Sequence, residues 1–246
     1  MRNAGLIALS VLVGLTIRAS AAPPDFWSGK KSDAAALDAA ATTLPQPIQK
    51  CVFFEKLLVR LRSGAAVATW QAEMEEYAKA DGDQPAVAAM RETAKAWLAR
   101  VRMLQIDRAL RGYFRKQVRF PDTLAAVQAN IPAEAKTDPW GEPWVYRPTA
   151  PKGFSAKFSN QRYQLGPTRA PLLLPLEDAI KDQPAPRAWK ITPRETGGVR
   201  AIEIRSADGR SAVVQPGAHF ADATLAFIGD GWALFADTER LFAVTF

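Results

Sequence analysis

The sequence predicts an α+β protein: N-terminal helices leading into one long helix packed on a small antiparallel sheet, followed by a small all-β domain. Two observations carry this. From Asp83 onward the apolar residues recur at steps of three and four for about thirty residues with no breaker between them. Beyond Pro186 the pattern changes to six short alternating runs separated by Gly197-Gly198, Asp208-Gly209, Pro216-Gly217 and Asp230-Gly231.

The chain has 246 residues and opens MRNAGLIALSVLVGLTIRASAAPPDFW, with Arg2, an apolar run from Ala4 to Thr16, and small residues at Ala19, Ser20 and Ala21. This reads as a secretory signal peptide over 1–21, cleaved after Ala21. The apolar run is shorter than the roughly 20 residues needed to cross a bilayer, and Arg18 follows it closely. The expected product is a soluble protein, periplasmic or otherwise exported. The lone Cys51 can form no internal disulfide, so a buried core must hold the fold. The net charge of +7 falls by two to +5 once Arg2 and Arg18 leave, a mildly basic balance that does not imply nucleic acid.

Residues 22–83 form the helical N-terminal region. SDAAALDAAATT predicts an Ala-rich helix capped at Ser32 or Asp33. Ile48, Val52, Leu57, Leu58 and Leu61 predict a second, ended by Ser63-Gly64, and Val67, Trp70, Met74 and Tyr77 a third. The long helix, capped at Asp83 with Pro85 in its first turn, opens an α+β domain over 84–170. Met90, Ala94, Trp97, Val101 and Leu104 make one stripe on it, and Met103, Ile106, Leu110 and Tyr113 a second beside it. Two adjacent stripes require cover on more than one side, which puts this helix at the centre.

Its remaining face reads as basic: Arg100, Arg102, Arg108, Arg111, Arg115, Lys116 and Arg119 against Asp107 alone. Such a face is ordinarily a solvated one. Its functional use would be as a docking face, with Arg100, Arg108, Arg111 and Arg115 meeting an acidic protein partner or, as a peripheral contact, phospholipid head groups.

After Phe120-Pro121, PDTLAAVQANIP predicts a short helix, and WVYRP and RYQLG predict two strands joined around PKGFSAKFSN. Between helix and strands lies TDPWGEPWVYRP, residues 137–148. Asp138 can accept backbone N–H bonds ahead of a turn, Pro139 fixes the next φ, and Gly141 tolerates a positive φ. Trp140 and Trp144 can then fold against the long helix, and Pro143 opens the strand where a missing N–H does no harm. Residues 171–186, rich in Pro around LLLPL, predict a linker or an irregular covering segment before the β domain at 187–246. The six runs there predict a small antiparallel sandwich or half-barrel.

A resemblance attaches to these residues. Tyr113, Phe120-Pro121, Leu124, Asp138-Pro139-Trp140-Gly141, Pro143, Tyr146, Tyr163 and Leu165-Gly166 follow one another as in the globular part of the major pseudopilin of type II secretion systems. The overlap spans roughly 90–170, about a third of the chain. It implies a non-enzymatic interaction or assembly module of a secretion or pilus-type system, with a protein partner in the cell envelope. Two departures qualify this. Pseudopilins begin with a prepilin-peptidase leader and a filament-forming apolar helix, whereas this chain begins with an ordinary signal peptide, so a filament subunit is not expected. Family members hold calcium in an Asp-rich loop, but the matching stretch here, GPTRAPLLL, has no carboxylate before Glu177, so no such metal site is expected. Residues 187–246 are similar in rhythm to small periplasmic β domains of secretion and pilus assembly proteins.

No catalytic residue or cofactor site is expected. His219 is the only histidine, which excludes a histidine-rich zinc site. Ser28 and Lys31 match Ser-x-x-Lys without its partner motifs. Glu73, Glu75 and Glu76 read as a solvated acidic face, and Cys51 as a buried apolar residue. The competing function is a stand-alone periplasmic ligand-binding or scaffold protein with a borrowed pseudopilin-like fold. A cleft lined by exposed Trp140, Trp144 and Tyr146 would favour it, and burial of both tryptophans would favour the assembly module.

Overall fold

A computed structural model describes residues 23–28, 34–150, 160–182 and 186–246. The signal-peptide assignment, the caps at Ser32 and Asp33, Lys31 and the loop at 151–159 lie outside them. The fold is mixed α+β, with one dominant helix and several small antiparallel sheets.

The helical layer comprises α1 (Ala34–Thr43), α2 (Gln46–Arg62), α3 (Gln71–Ala78) and α4 (Pro85–Gln117). Ile48, Cys51, Val52, Leu58 and Leu61 of α2, Trp70 and Met74 at α3, and Met90, Ala94 and Trp97 of α4 are all fully buried in one cluster. The stripe spacing produces this, because positions three and four apart share a helix face. The cap of α4 is Gln84 in an extended conformation with no side-chain bond, not Asp83 as expected. Pro85 at the first position, where an N–H has no helical partner anyway, sets the start instead.

At 33 residues α4 is about 50 Å long. It is covered on several sides, because Ile106 and Leu110 pack with Val127 and Ile131, while Ala96, Ala99 and Met103 meet Leu173. The helix ends at Val118, whose φ of 56° and ψ of 19° lie in the left-handed region. For a β-branched residue this conformation costs about 1–2 kcal/mol, and glycine is the usual occupant.

The stretch after Pro121 is a 3-10 helix, Leu124–Asn130, where a short helix was expected. It feeds the corner at 138–142 and the hairpin of β1 (Trp144–Thr149) and β2 (Arg162–Pro167), which pair antiparallel with Tyr146 opposite Leu165. Of the two expectations for 171–186, a linker or an irregular covering segment, the described residues fit the second, lying against the helices. Leu173 packs on α4, and α5 (Leu176–Lys181) buries Leu176 and Ala179 in the main cluster.

Residues 187–246 form two antiparallel sheets. One holds β3 (Lys190–Thr196), β4 (Val199–Arg205) and β5 (Ser211–Val214). The other holds β6 (His219–Phe220), β7 (Ala223–Ile228), β8 (Trp232–Ala236) and β9 (Leu241–Thr245). β6 is a strand the six-run pattern missed, a two-residue pairing with β7.

The second sheet is a middle layer. Ala233, Phe235 and Phe242 pack with Ile202, Ile204 and Val214 of the first sheet, while Trp232, Leu234, Ala236 and Leu241 belong to the helical core. Alternate residues of a strand point to opposite faces, so WALFA, buried at every position, has cover on both. A 3-10 turn at Asp25–Ser28 closes the same core: Trp27 is buried with its ring centroid 6.1 Å from that of Trp232. The β stretch and the helices therefore share one continuous core.

Candidate functional site

The 138–142 corner is a closed turn. One carboxylate oxygen of Asp138 accepts the backbone N–H of Trp140 at 2.9 Å and of Glu142 at 2.8 Å, and Asp138 N–H donates to the Glu142 carbonyl at 2.9 Å. Gly141 takes a φ of 84°, a conformation that costs other residues more. Trp140 Nε1 donates to Glu92 on α4 at 2.6 Å, and Trp144 Nε1 to the Ala135 carbonyl at 2.8 Å. Both rings are half-buried against the helix, packed with Ala96, Ala99, Met103 and Leu173. Pro139 lies within the turn and Pro143 just ahead of β1, with Thr168 Oγ1 donating to the Pro143 carbonyl at 3.0 Å. These corner residues frame the hairpin and are not among those lining the groove beside it.

Two phenols fix the hairpin to the helix end. Tyr146 donates to the Pro121 carbonyl at 2.7 Å, and burial, helped by Asp122, pushes its pKa up to about 12. Tyr163 donates to Asp107 on α4, and burial followed by that hydrogen bond raises its pKa also. Both remain neutral donors at any physiological pH.

A concavity lies beside this hairpin. It is a groove of about 620 Å³ bounded by the second half of α4 (Met103, Leu104, Asp107, Arg111), by β2 (Tyr163, Leu165) and by residues 171–178. Gly166 makes the wall possible, because a Cβ there would stand 2.6 Å from the Pro171 carbonyl oxygen. The strap turns at once, with Leu173 N–H donating to Ala170 at 3.1 Å, and drives Leu173 inward. Leu172 then points out, 91% exposed, and Leu174 is 39% exposed. The composition of LLLPL marked an apolar segment, but alternation inside a turn decides which leucine is buried, and that follows only from the close contact at Gly166.

The four arginines expected on one docking face do not share it. Arg108, Arg111 and Arg115 are exposed. Arg100 is 0% exposed, a correction to the expectation. Its guanidinium lies 4.7 Å from the Trp97 ring, donates to the Thr238 carbonyl at 2.9 Å, and pairs with Glu239 at 3.3 Å. Its spacing carried the signal: Arg100 falls three residues after Trp97 and four before Leu104, within the apolar stripe. Burial lowers the Arg100 pKa to about 10 and raises that of Glu239, so desolvation acts against both charges and outweighs their attraction.

Near this pair lies a carboxyl the sequence reading passed over. Glu55 on α2 is buried, its pKa raised to about 7 by desolvation against the opposing pull of Arg62 and Arg240. It stands four residues after Cys51 and three before Leu58, again inside an apolar stripe.

Of the remaining residues weighed as chemistry, His219 sits exposed on β6 with Nδ1 3.0 Å from the Thr224 hydroxyl. Glu73 pairs with Arg60, and Glu75 accepts from Gln71 at 3.1 Å. The Cys51 thiol is buried, and desolvation pushes its pKa up to about 12, far from a reactive thiolate. Ser28 ends the 3-10 turn at Asp25–Ser28. Among the described residues no group of three or more His, Cys, Asp or Glu side chains could hold a metal ion, and no helix is long and apolar enough to cross a membrane.

Comparison with protein-family models, with curated proteins and with solved structures returned no match.

Proposed function

We propose that this protein is a non-enzymatic, exported envelope protein that acts as an interaction module of a secretion or pilus-type assembly. The observation that carries the reading is the groove beside α4, whose rim presents Leu172 to solvent on a strap held by buried Leu173 and Leu176. Leu172 and the partly exposed Leu174 together give this concave surface an apolar rim, the kind of contiguous patch that a protein partner buries. The order of residues 90–170, long helix to Asp-Pro-Trp-Gly corner to hairpin, supports the choice of a pseudopilin-like module. Trp140 and Trp144, half-buried and tied through their indole N–H groups to Glu92 and the Ala135 carbonyl, have a packing role in such a module.

Crosslinked affinity purification of the tagged protein from its native envelope tests this, run beside a Leu172→Asp variant. Recovery of pseudopilins or inner-membrane secretion components by the parent and their loss from the variant is the expected result. Recovery of the bait alone by both proteins would sink the proposal.

One observation favours a second reading, a stand-alone periplasmic binding protein: the groove volume falls within the range of about 300–1,000 Å³ typical of small-molecule sites. A thermal-shift screen of the purified protein that found a ligand, with the shift abolished by Leu172→Asp, would move the assignment there.

A further inference from the structure

From the end of α4 we infer a docking surface for anionic phospholipid membranes. Leu104, Arg108, Arg111, Arg115 and Val118 recur at steps of four, three, four and three, so they lie on one face of the helix and its cap. Lys116 and Arg119 are exposed beside it. Arg111 pairs with Asp107 at 2.7 Å yet keeps its side chain 65% exposed. Arg108, Arg115, Lys116 and Arg119 have no carboxylate partner among the described residues. Three acids lie nearby: Asp107 holds Arg111 and Tyr163, Asp122 accepts from Asn160 at 2.7 Å, and Glu177 acts on Arg111. The five cations Arg108, Arg111, Arg115, Lys116 and Arg119 outnumber them.

Cations in a last helical turn also complement the helix dipole, which accounts for Arg115 and Lys116 alone. It does not account for Val118. A β-branched residue occupies the left-handed cap that glycine fills at no steric cost, and its side chain is 69% exposed. Gln161 holds the turn by donating to the Val118 carbonyl at 2.9 Å, and the Val118 N–H donates to the Phe114 carbonyl at 2.8 Å, but both bonds use backbone that a glycine would offer equally. An exposed apolar side chain at a helix end, beside exposed cations, matches a lipid surface: the cations meet head-group phosphates and the apolar tip enters the interface. An acidic protein would instead require a shaped, preorganised set of partners, and only Arg111 is held in place here. Leu104 and Arg111 also border the groove, but Arg108, Arg115, Lys116, Val118 and Arg119 do not, so the variants below leave the groove and Leu172 untouched.

The test is co-sedimentation of the chain from Ala22 onward with phosphatidylglycerol/phosphatidylcholine vesicles and with pure phosphatidylcholine vesicles, at low and high salt. The parent is expected to bind the anionic vesicles in a salt-dependent manner beyond any binding to neutral ones. Arg108→Gln with Arg115→Gln and Lys116→Gln should weaken that difference roughly a hundred-fold, near the sum of three surface cations. Val118→Gly should weaken it several-fold while raising the melting temperature, which separates loss of binding from loss of fold. Equal binding to both vesicle types, or unchanged binding by the triple variant, would overturn the inference. So would binding to soluble polyglutamate without binding to vesicles, which would assign the surface to an acidic polypeptide.

Discussion

Arg100 in the middle of α4 and Glu239 in the β8–β9 turn, 139 residues apart in sequence, meet at 3.3 Å inside the protein. Around them the same turn is tied to the helices by three further donors. Thr93 donates to the Asp237 carbonyl at 2.7 Å, and Trp97 at 3.0 Å and Arg62 at 2.9 Å both donate to the Glu239 carbonyl. The contact joins the last hairpin to two helices at once.

Removing one member of a buried pair leaves the other uncompensated, so Arg100→Ala should cost about 3–5 kcal/mol. Arg100→Met combined with Glu239→Leu should recover part of this, because neither charge is then buried alone. Urea unfolding of the single and double variants measures both. A loss within about 1 kcal/mol for Arg100→Ala would show that the pair does not hold the hairpin.

Glu55 gives a pH dependence of defined sign. Its folded pKa, about 7, lies above the ordinary carboxyl value of 4.5, so the folded state binds the extra proton. Its contribution to stability is full below about pH 4.5 and is lost as pH rises through about 7, amounting to roughly 3 kcal/mol at most. Arg62 and Arg240 oppose the shift but do not overcome the desolvation. The stability of Glu55→Gln minus that of the parent should therefore grow between these pH values and level off above them. Parallel pH profiles for the two proteins would contradict the buried carboxyl.

The corner at 138–142 depends on one carboxylate. Asp138→Ala leaves the N–H groups of Trp140 and Glu142 without their acceptor and should destabilise by about 1–3 kcal/mol. Asp138→Asn, which retains an acceptor oxygen, should cost less. Gly141→Ala, at a φ of 84°, should cost about 1 kcal/mol without altering any contact. Thermal unfolding followed by tryptophan fluorescence ranks the three, and a harmless Asp138→Ala would remove the turn from the structural account.

Gly166→Ala should loosen the strap selectively. The new methyl would stand 2.6 Å from the Pro171 carbonyl oxygen, so backbone must move. Hydrogen exchange at the Leu173 amide should accelerate while the amides of α2 and the first half of α4 keep their protection. Uniform protection throughout would mean that the strap does not depend on this close approach.

How far the sequence spoke depended on whether a residue's neighbours lay near it in the chain. Stripes such as Met90, Ala94 and Trp97 are local, and so are the glycine turns, so helices and most strands could be read directly. What covers a stripe is not local. WALFA has no polar alternation because it is enclosed between two layers, and that signal would have placed β8 in the middle of the fold. Arg100 shows the converse. Counted by charge it joins the basic face, whereas counted by spacing from Trp97 it belongs inside, and its partner could be found only in three dimensions. The groove is less legible still, since it arises where Gly166 lets the chain double back on itself and no residue type marks a concavity.

The middle position of β8 and β9 has a consequence for synthesis. The apolar faces of α2 and α4 are enclosed by Trp232, Leu234, Ala236 and Leu241, residues the ribosome adds more than a hundred positions after the helices themselves. Until then the nascent helices have one wall missing and present an adhesive side to whatever is near. The helices thus wait on the last strands before this part of the interior can close.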